Sequence, residues 1–379
     1  MRAVFDKCNG CSACHLVCPV EAINISINDK GFYQAFVDEK RCIKCGRCEK
    51  ICKESKKTLY NIEESEHYVA AAKDQEVLKN SSSGGVAFIL ASHMIQEGGK
   101  VCAVGYNNVA NNAQHYIYDD LKSLKESQGS KYLQSYNADA FLSAIQQNEQ
   151  MIIIGTPCQI AGIREILKEK VAEESFVLVD IFCHGVPSTK LWRNHLSTLH
   201  LSGNHQEKPV FRDNKKYILK IQNYKKWYNQ DGFFMLYLMN QYLNSCCYSC
   251  PYRRKSSADI RLGDLMSEKY SKLWYSPSCV CINSEKGRMF FDRIKKEVEC
   301  YQISYEEIDE IQQKEGNTSP ELINPKYYML NDPDVNPKQL LGKRFYINYF
   351  KSFIKIPILL AKEVFMTDDL GKVVLKEKQ

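Results

Sequence analysis

The apolar positions of this chain follow more than one rhythm. Ala22-Ile23-Asn24-Ile25-Ser26-Ile27 alternates apolar and polar side chains, the pattern of a half-buried strand. Asn28-Asp29-Lys30-Gly31 interrupts it as a turn, and Phe32 to Val37 returns as a second strand. From Glu54 the sequence turns polar and charged, and 59–79 reads as a linker with some helix. A helical rhythm begins after Asn80-Ser81-Ser82-Ser83-Gly84-Gly85, where Val86, Ile89, Leu90, Met94 and Ile95 recur. Gly99 to Tyr106 and Gln114 to Tyr118 read as paired strands. A short helix then runs to about Glu126 and ends in Gly129-Ser130-Lys131-Tyr132, and 138–148 is helical.

Two βα units follow. Met151-Ile152-Ile153-Ile154 is an uninterrupted apolar run of strand length, as in a central parallel strand. It ends in Gly155-Thr156-Pro157-Cys158-Gln159, and a helix continues to Lys170. Phe176 to Phe182 is the next strand; it ends in Cys183-His184-Gly185-Val186-Pro187-Ser188, before a helix to about His200. Residues 209–239 alternate as strands, Ser278 to Asn283 is strand-like, and a helix starts at Gly287. Cys279 and Cys281 share one strand face and read as core. Phe345 to Phe365 forms an amphipathic aromatic stretch that packs on the body in preference to a membrane.

Two cysteine runs change the picture of the N-terminal strands. Cys8-x2-Cys11-x2-Cys14-x3-Cys18 is followed by Cys42-x2-Cys45-x2-Cys48-x3-Cys52. This spacing wraps two [4Fe–4S] cubes in bacterial ferredoxins, with the fourth cysteine of each run crossing to the other cube. Cluster one therefore takes Cys8, Cys11, Cys14 and Cys52, and cluster two takes Cys42, Cys45, Cys48 and Cys18. Zinc sites pair Cys-x2-Cys units across a longer gap, and a disulfide set has no reason to repeat one four-fold spacing.

The 379 residues exceed one ordinary domain. The expected architecture is α/β: a small α+β ferredoxin-like module at 1–58, the 59–79 linker, a mixed or parallel-sheet α/β domain at 80–300, and a C-terminal helical extension at 301–379. No apolar run reaches membrane-spanning length. Seventeen cysteines and no leader pattern point to a reducing, cytoplasmic setting. The formal net charge of +6 permits docking to acidic redox partners and makes no case for nucleic acid. Tyr224-Lys225-Lys226-Trp227-Tyr228 reads as the solvated face of a hairpin. No unassigned cysteine trio has the Cys-x3-Cys-x2-Cys spacing of radical S-adenosylmethionine chemistry.

Nine cysteines remain. Cys247-x2-Cys250 is a two-ligand unit, and Cys158 and Cys183 sit just past strand ends; together they make up a third [4Fe–4S] set or remain buried small hydrophobes. Cys102 and Cys300 read as core, and Cys246 as a spare. The Ser82-Ser83-Gly84-Gly85 loop is open between a phosphate cradle and a plain helix cap.

The ordered series Ser82-Ser83-Gly84-Gly85-Val86, Gly129-Ser130-Lys131-Tyr132, Gly155-Thr156-Pro157-Cys158-Gln159-Ile160-Ala161-Gly162, Asp180-x2-Cys183-His184-Gly185-Val186-Pro187-Ser188, Phe211-Arg212-Asp213, Cys247-Tyr248-x-Cys250 and Asp259-Ile260-x2-Gly263-Asp264 resembles the family of coenzyme F420 hydrogenase/dehydrogenase beta subunits. The resemblance covers most of residues 60–290. It implies an iron–sulfur flavoprotein oxidoreductase. Ser82, Ser83, Gly84, Gly85, Ser130, Lys131 and Thr156 become expected FAD contacts, and Cys158, Cys183, Cys247 and Cys250 the expected third cluster. His184 is expected as a turn residue or a proton relay beside it. The implied activity passes electrons from the ferredoxin-type clusters through the third to FAD and on to a hydride acceptor, coenzyme F420 or another small molecule. The alternative is an electron-transfer partner feeding a separate enzyme, as in surface-polysaccharide biosynthesis.

Overall fold

The computed structural model describes residues 2–5, 7–57, 59–170, 173–201, 207–213, 216–271, 276–312, 337–341, 365–367 and 373–375. The N-terminal module is a hairpin, Ile23–Ile27 against Tyr33–Val37, with helices Ala13–Leu16 and Arg47–Glu54. Its turn is Asn28 to Gly31: the Asn28 carboxamide oxygen accepts from the Lys30 and Phe32 amides.

The large domain is built on one nine-stranded sheet. The strand order is Val298–Gln302, Glu66–Ala72, Ser278–Ile282, Ile260–Asp264, Phe176–Ile181, Met151–Gly155, Lys100–Asn107, Asn112–Tyr118 and Ser135–Tyr136. The four strands from Ile260–Asp264 to Lys100–Asn107 run parallel. The central strands Met151–Gly155 and Phe176–Ile181 are apolar almost without alternation, because helices cover both faces. Val86–Gln96 and Glu285–Ile294 pack on one side, and Ala138–Gln147 and Pro157–Glu169 on the other.

Three parts of the chain depart from the sequence pattern. Residues 66–72, inside the expected linker, form a strand deep in the sheet, with Val69, Ala70 and Ala71 fully buried. The run His67 to Ala72 is short in large side chains, so its weight as a strand comes from pairing with Ser278–Ile282 and Val298–Gln302. Residues 232–238 form a helix, not a strand. Asp231 caps it by accepting from the Phe234 amide at 2.7 Å, and an all-apolar run suits a helix buried on every side. The expected strands at 210–213, 216–221 and 224–227 form a separate antiparallel sheet. The 345–364 stretch lies outside the described residues. Residues 337–341 are helical, and 365–367 and 373–375 pair as strands within the expected helical extension. Among the described residues no helix is long and apolar enough to cross a membrane.

The two modules are joined by buried polar contacts. The Gln134 carboxamide accepts from the Tyr33 amide at 2.8 Å and donates to the Asn9 carbonyl at 3.1 Å. Asn137 takes the Ser12 hydroxyl and donates to the Cys11 carbonyl. Thr189 donates twice to the Gly31 carbonyl. Helix Pro157–Glu169 comes so close that a Cβ on Gly162 would lie 3.0 Å from Cys11 Sγ. The ferredoxin-like module is thus fixed against the sheet domain.

Asp180 and Asp259, both within the motifs quoted above, are part of the frame. The Asp180 carboxylate is fully buried, held by Arg261 at 2.6 and 2.7 Å and by the Ser256 hydroxyl at 2.7 Å. Asp259 takes the Arg164 guanidinium and the Leu178 amide in the same way. Removing one member of such a pair leaves the other charge buried and alone. Asp180→Ala is therefore expected to lose about 3–5 kcal/mol of stability, measured by anaerobic denaturant unfolding at matched iron content.

Candidate functional site

The tight local spacing of each cysteine run places three thiols around one loop, and the helix that follows turns the fourth away. In the inner set, Cys8, Cys11, Cys14 and Cys52 together line a cavity of about 320 Å³, walled by Phe5, Ile25, Ala35 and Tyr252. Burial pushes the Cys11 and Cys14 thiols far above their ordinary range, and the neighbouring cysteines add to it. Four thiols in such a pocket are held as thiolates only by a cation among them, a role that iron can fill. Cys42, Cys48 and Cys18 are partly exposed and Cys45 is exposed, so the outer set lies at the surface.

The third set is gathered from three parts of the fold. Cys158 opens helix Pro157–Glu169, Cys183 follows strand Phe176–Ile181, and Cys247 and Cys250 bracket the end of helix Ser245–Tyr248. Burial raises Cys158, Cys183 and Cys247. After it, the largest influence of another thiol is Cys183 on Cys158 and on Cys247, and Cys250 on Cys183. The four are therefore one electrostatic group, and Cys11 of the inner set also acts on Cys158. Arg253 ties two of the loops together, donating to the Cys183 carbonyl at 3.3 Å and to the Cys247 carbonyl at 3.4 Å. Asn244 donates to the Cys8 carbonyl at 3.1 Å, linking this set to the inner one. Among the described residues no three His, Cys, Asp or Glu converge on a single ion. Four thiols with no other donor type are the ligand set that a [4Fe–4S] cube takes.

A cavity of about 440 Å³ opens at the carboxyl edge of the parallel strands, where open α/β sheets bind ligands. Ser82, Ser83, Gly85, Ser130, Lys131, Thr156, Cys183 and His184 all line it. Gly84 stands behind the lining, pressed against the Ala70 carbonyl and the Ser278 amide. Helix Val86–Gln96 begins at Gly85, whose φ is 78°, and no side chain caps it. Its first amides are thus offered to the cavity with the positive end of the helix dipole. Ser82 already takes the Ser130 amide at 2.8 Å, which joins the two polar loops.

Lys131 does not present a free ammonium. Its Nζ donates to the carbonyls of Val104 at 2.8 Å and Ser127 at 2.5 Å, with Gln128 at 3.3 Å and Glu126 at 3.4 Å beside them. Burial holds it well below the ordinary lysine range, and Lys208 adds to that. The loop folds its cation back onto the carbonyls that end the 125–127 turn, as helix ends favour. Thr156 likewise turns inward: its hydroxyl donates to the Gln159 carboxamide at 3.0 Å and lies 3.3 Å from Cys158 Sγ.

Other residues at the cavity were not legible as site residues. Arg212 and Asp264, from two separate motifs, form an ion pair beside it. The Arg212 guanidinium lies 4.7 Å from the Tyr217 ring centroid. Tyr132 and Tyr237 complete an aromatic wall with Tyr217. Burial holds the Tyr132 and Tyr237 hydroxyls well above their usual range, and they are protonated donors at neutral pH. No sequence spacing signals this wall, because Tyr132 stands far along the chain from the other two. Met266 is 48% exposed at the cavity, while its neighbour Leu265 is buried.

Residues 148–310 match the family described as coenzyme F420 hydrogenase/dehydrogenase, beta subunit (C terminus), and residues 7–55 match the 4Fe-4S dicluster domain. The chain is 23% identical over 315 residues to the F subunit of the F(420)H(2) dehydrogenase of Methanosarcina mazei, covering 78% of this chain and 84% of that one. It is 24% identical over 290 residues to the beta subunit of the coenzyme F420 hydrogenase of Methanococcus voltae, covering 73% and 93%. Its fold aligns with a chain of the F420-reducing [NiFe] hydrogenase complex from Methanosarcina barkeri at TM-score 0.48 and 16% identity, over 74% of this chain and 91% of that one.

Proposed function

We propose that this chain, similar over residues 148–310 to the coenzyme F420 hydrogenase/dehydrogenase beta subunits and over residues 7–55 to the 4Fe-4S dicluster domain, passes electrons between its ferredoxin-type clusters and a bound flavin that serves a hydride acceptor. The chain is an iron–sulfur protein of an oxidoreductase family. The finer reading adds a third [4Fe–4S] cluster on Cys158, Cys183, Cys247 and Cys250, and FAD in the sheet-edge cavity.

One observation carries it. The inner thiol set neighbours both of the others, Cys14 feeling Cys48 of the outer set and Cys11 acting on Cys158 of the third, and the third borders the cavity through Cys183. That order suits single electrons moving over short steps into a site for two-electron chemistry. FAD bound there would supply the change from one-electron to hydride transfer. The residues of this chain would do the rest. The uncapped helix start at Gly85 would receive the pyrophosphate on its backbone amides, and the Ser82–Ser130 hydrogen bond would hold the two polar loops together beside it. Lys131 would stiffen its loop instead of meeting the phosphate directly. Tyr132, Tyr217 and Tyr237 would wall the ring system from water, and the Arg212–Asp264 pair would present fixed charge beside it. Cysteine loops braced by Arg253 and Asn244 would hold the third cluster and cluster one at a constant separation.

The acceptor enters where Met266 stands. Coenzyme F420 is the acceptor that the relatives' names carry, and the exposed Met266 equally suits a protein partner closing the cavity. In that second reading the chain feeds a separate enzyme. Anaerobically purified protein with full cluster content is expected to bind one FAD per chain and, once reduced through its clusters, to reduce coenzyme F420 alone in solution. A cluster-replete protein that carries no flavin and takes none up overturns the flavin reading. Flavin reduction without turnover of any small acceptor favours the partner reading.

A further inference from the structure

The charge of this protein is not spread evenly. Residues 40–57 hold eight Lys and Arg against Glu49 and Glu54, a net of +6, equal to the formal net charge of the whole chain. Counting Asp38 and Glu39 immediately upstream, 38–57 still carries +4. This stretch contains the outer cysteine loop. Cys45 is exposed there, and Ile43 beside it is 61% exposed. Lys40, Arg41, Lys44, Arg47, Lys50 and Lys53 are all exposed around it. Arg47 is paired with Glu169 at 3.1 Å, and Arg41 lies 3.7 Å from Glu21. Lys44, Lys50 and Lys53 make no ion pair among the described residues.

We propose that this face is the docking surface of an acidic one-electron carrier protein that exchanges electrons with the iron–sulfur cluster held by Cys42, Cys45, Cys48 and Cys18. The proposal rests on the ferredoxin-type reading of the N-terminal module and not on the flavin. The inner set lies in its cavity, and its loop is pinned to the sheet domain by Asn137 and Asn244, so the outer loop is the nearer entry from solvent. The outer loop brings a ligand, an apolar contact and a ring of cations to one place. The cations draw in an acidic partner and orient it, while Ile43 supplies a dry contact over the cluster. One electron leaves the carrier, which is oxidised, and enters the cluster, which is reduced, with no bond made or broken. Nucleic acid and lipid would answer the charge but have no electron to exchange, and neither explains a cluster ligand at the centre of the patch.

The test uses the full chain with its clusters and an acidic plant-type [2Fe–2S] ferredoxin as probe. Titration calorimetry with the oxidised ferredoxin gives the Kd, and stopped-flow with the reduced ferredoxin gives the rate of cluster reduction. Both are expected to weaken as salt rises, because surface charges are screened over about 10 Å at 0.1 M ionic strength. The double variant Lys44→Glu/Lys50→Glu is expected to weaken binding and slow reduction about tenfold or more at low salt. Lys296→Glu, on an exposed turn of the sheet domain, should change neither. Iron content and dithionite-reduced EPR spectra should match across all three proteins. Wild-type Kd and rate in the double variant would overturn the proposal. So would a wild-type protein that dithionite reduces normally but ferredoxin neither binds nor reduces, a result that leaves the iron–sulfur reading standing. Loss of binding to anionic vesicles in the double variant, with unchanged ferredoxin kinetics, would assign the patch to a membrane surface instead.

Discussion

Replacing Cys250 with serine is expected to lower the iron content of the anaerobically purified protein from about twelve atoms per chain to about eight. The EPR signals of the two ferredoxin-type clusters should remain. The reason lies in where the third set comes from. Its four thiols sit on three separate elements, so losing one removes a ligand without touching the loops that wrap the other two cubes. Cys52→Ser should behave differently. Cys52 closes the cavity formed by Cys8, Cys11 and Cys14, so its loss strikes cluster one and should break electron flow between the outer cluster and the third. A wild-type protein with eight irons would remove the third cluster from the account, and one with four or fewer would overturn the crossed ferredoxin assignment.

Gly84→Ala is expected to weaken FAD binding by about 10- to 100-fold, with iron content unchanged. A Cβ at this position would clash with the Ala70 carbonyl and lie 2.7 Å from the Ser278 amide. Both belong to backbones of strands paired on both sides, and neither can move aside as a flexible side chain would. The loop must therefore retreat from the strands, taking Ser82, Ser83 and the start of helix Val86–Gln96 with it. Overpacking of this kind costs about 1–3 kcal/mol, and each factor of ten in affinity corresponds to about 1.4 kcal/mol. The readouts are flavin content on purification and the Kd for added FAD. A variant that retains flavin like the wild type would show that the loop is a helix start and no more.

The two substitutions probe different kinds of information in the chain. The spacing of the ferredoxin-type cysteines could be read directly, because thiols three residues apart on one loop find each other through local geometry, whereas Cys52 reaches the cavity of Cys8, Cys11 and Cys14 only through the packing of its helix. The βα units could be read for a similar reason: an apolar run without alternation must be covered on both faces, and its carboxyl end then faces the ligand edge. That placed Thr156, Cys158, Cys183 and His184 on one rim. The Ser82 to Gly85 loop and the Cys247-x2-Cys250 unit carried a local pattern but no address. Their meeting with that rim depends on which strands neighbour one another in the sheet.

What the tertiary structure alone decided are the partnerships of groups far apart in sequence. Lys131 looked like a cation for a phosphate, yet the nearest acceptors were the carbonyls closing its own loop, and burial made those bonds the favoured ones. His67 to Ala72 became an internal strand because two flanking strands supply its hydrogen bonds. Phe233 to Leu238 became a helix because an apolar run carries no period of its own, and the cap at Asp231 and the surrounding core settle it. The Arg212–Asp264 pair joins residues fifty-two positions apart, which no local pattern connects. The amino-acid order determined the chemistry each segment can hold, because ligand spacing and hydrophobic period are local properties. The assembly of those segments around one sheet edge was decided by strand neighbours and buried polar contacts, which act only once the chain has folded.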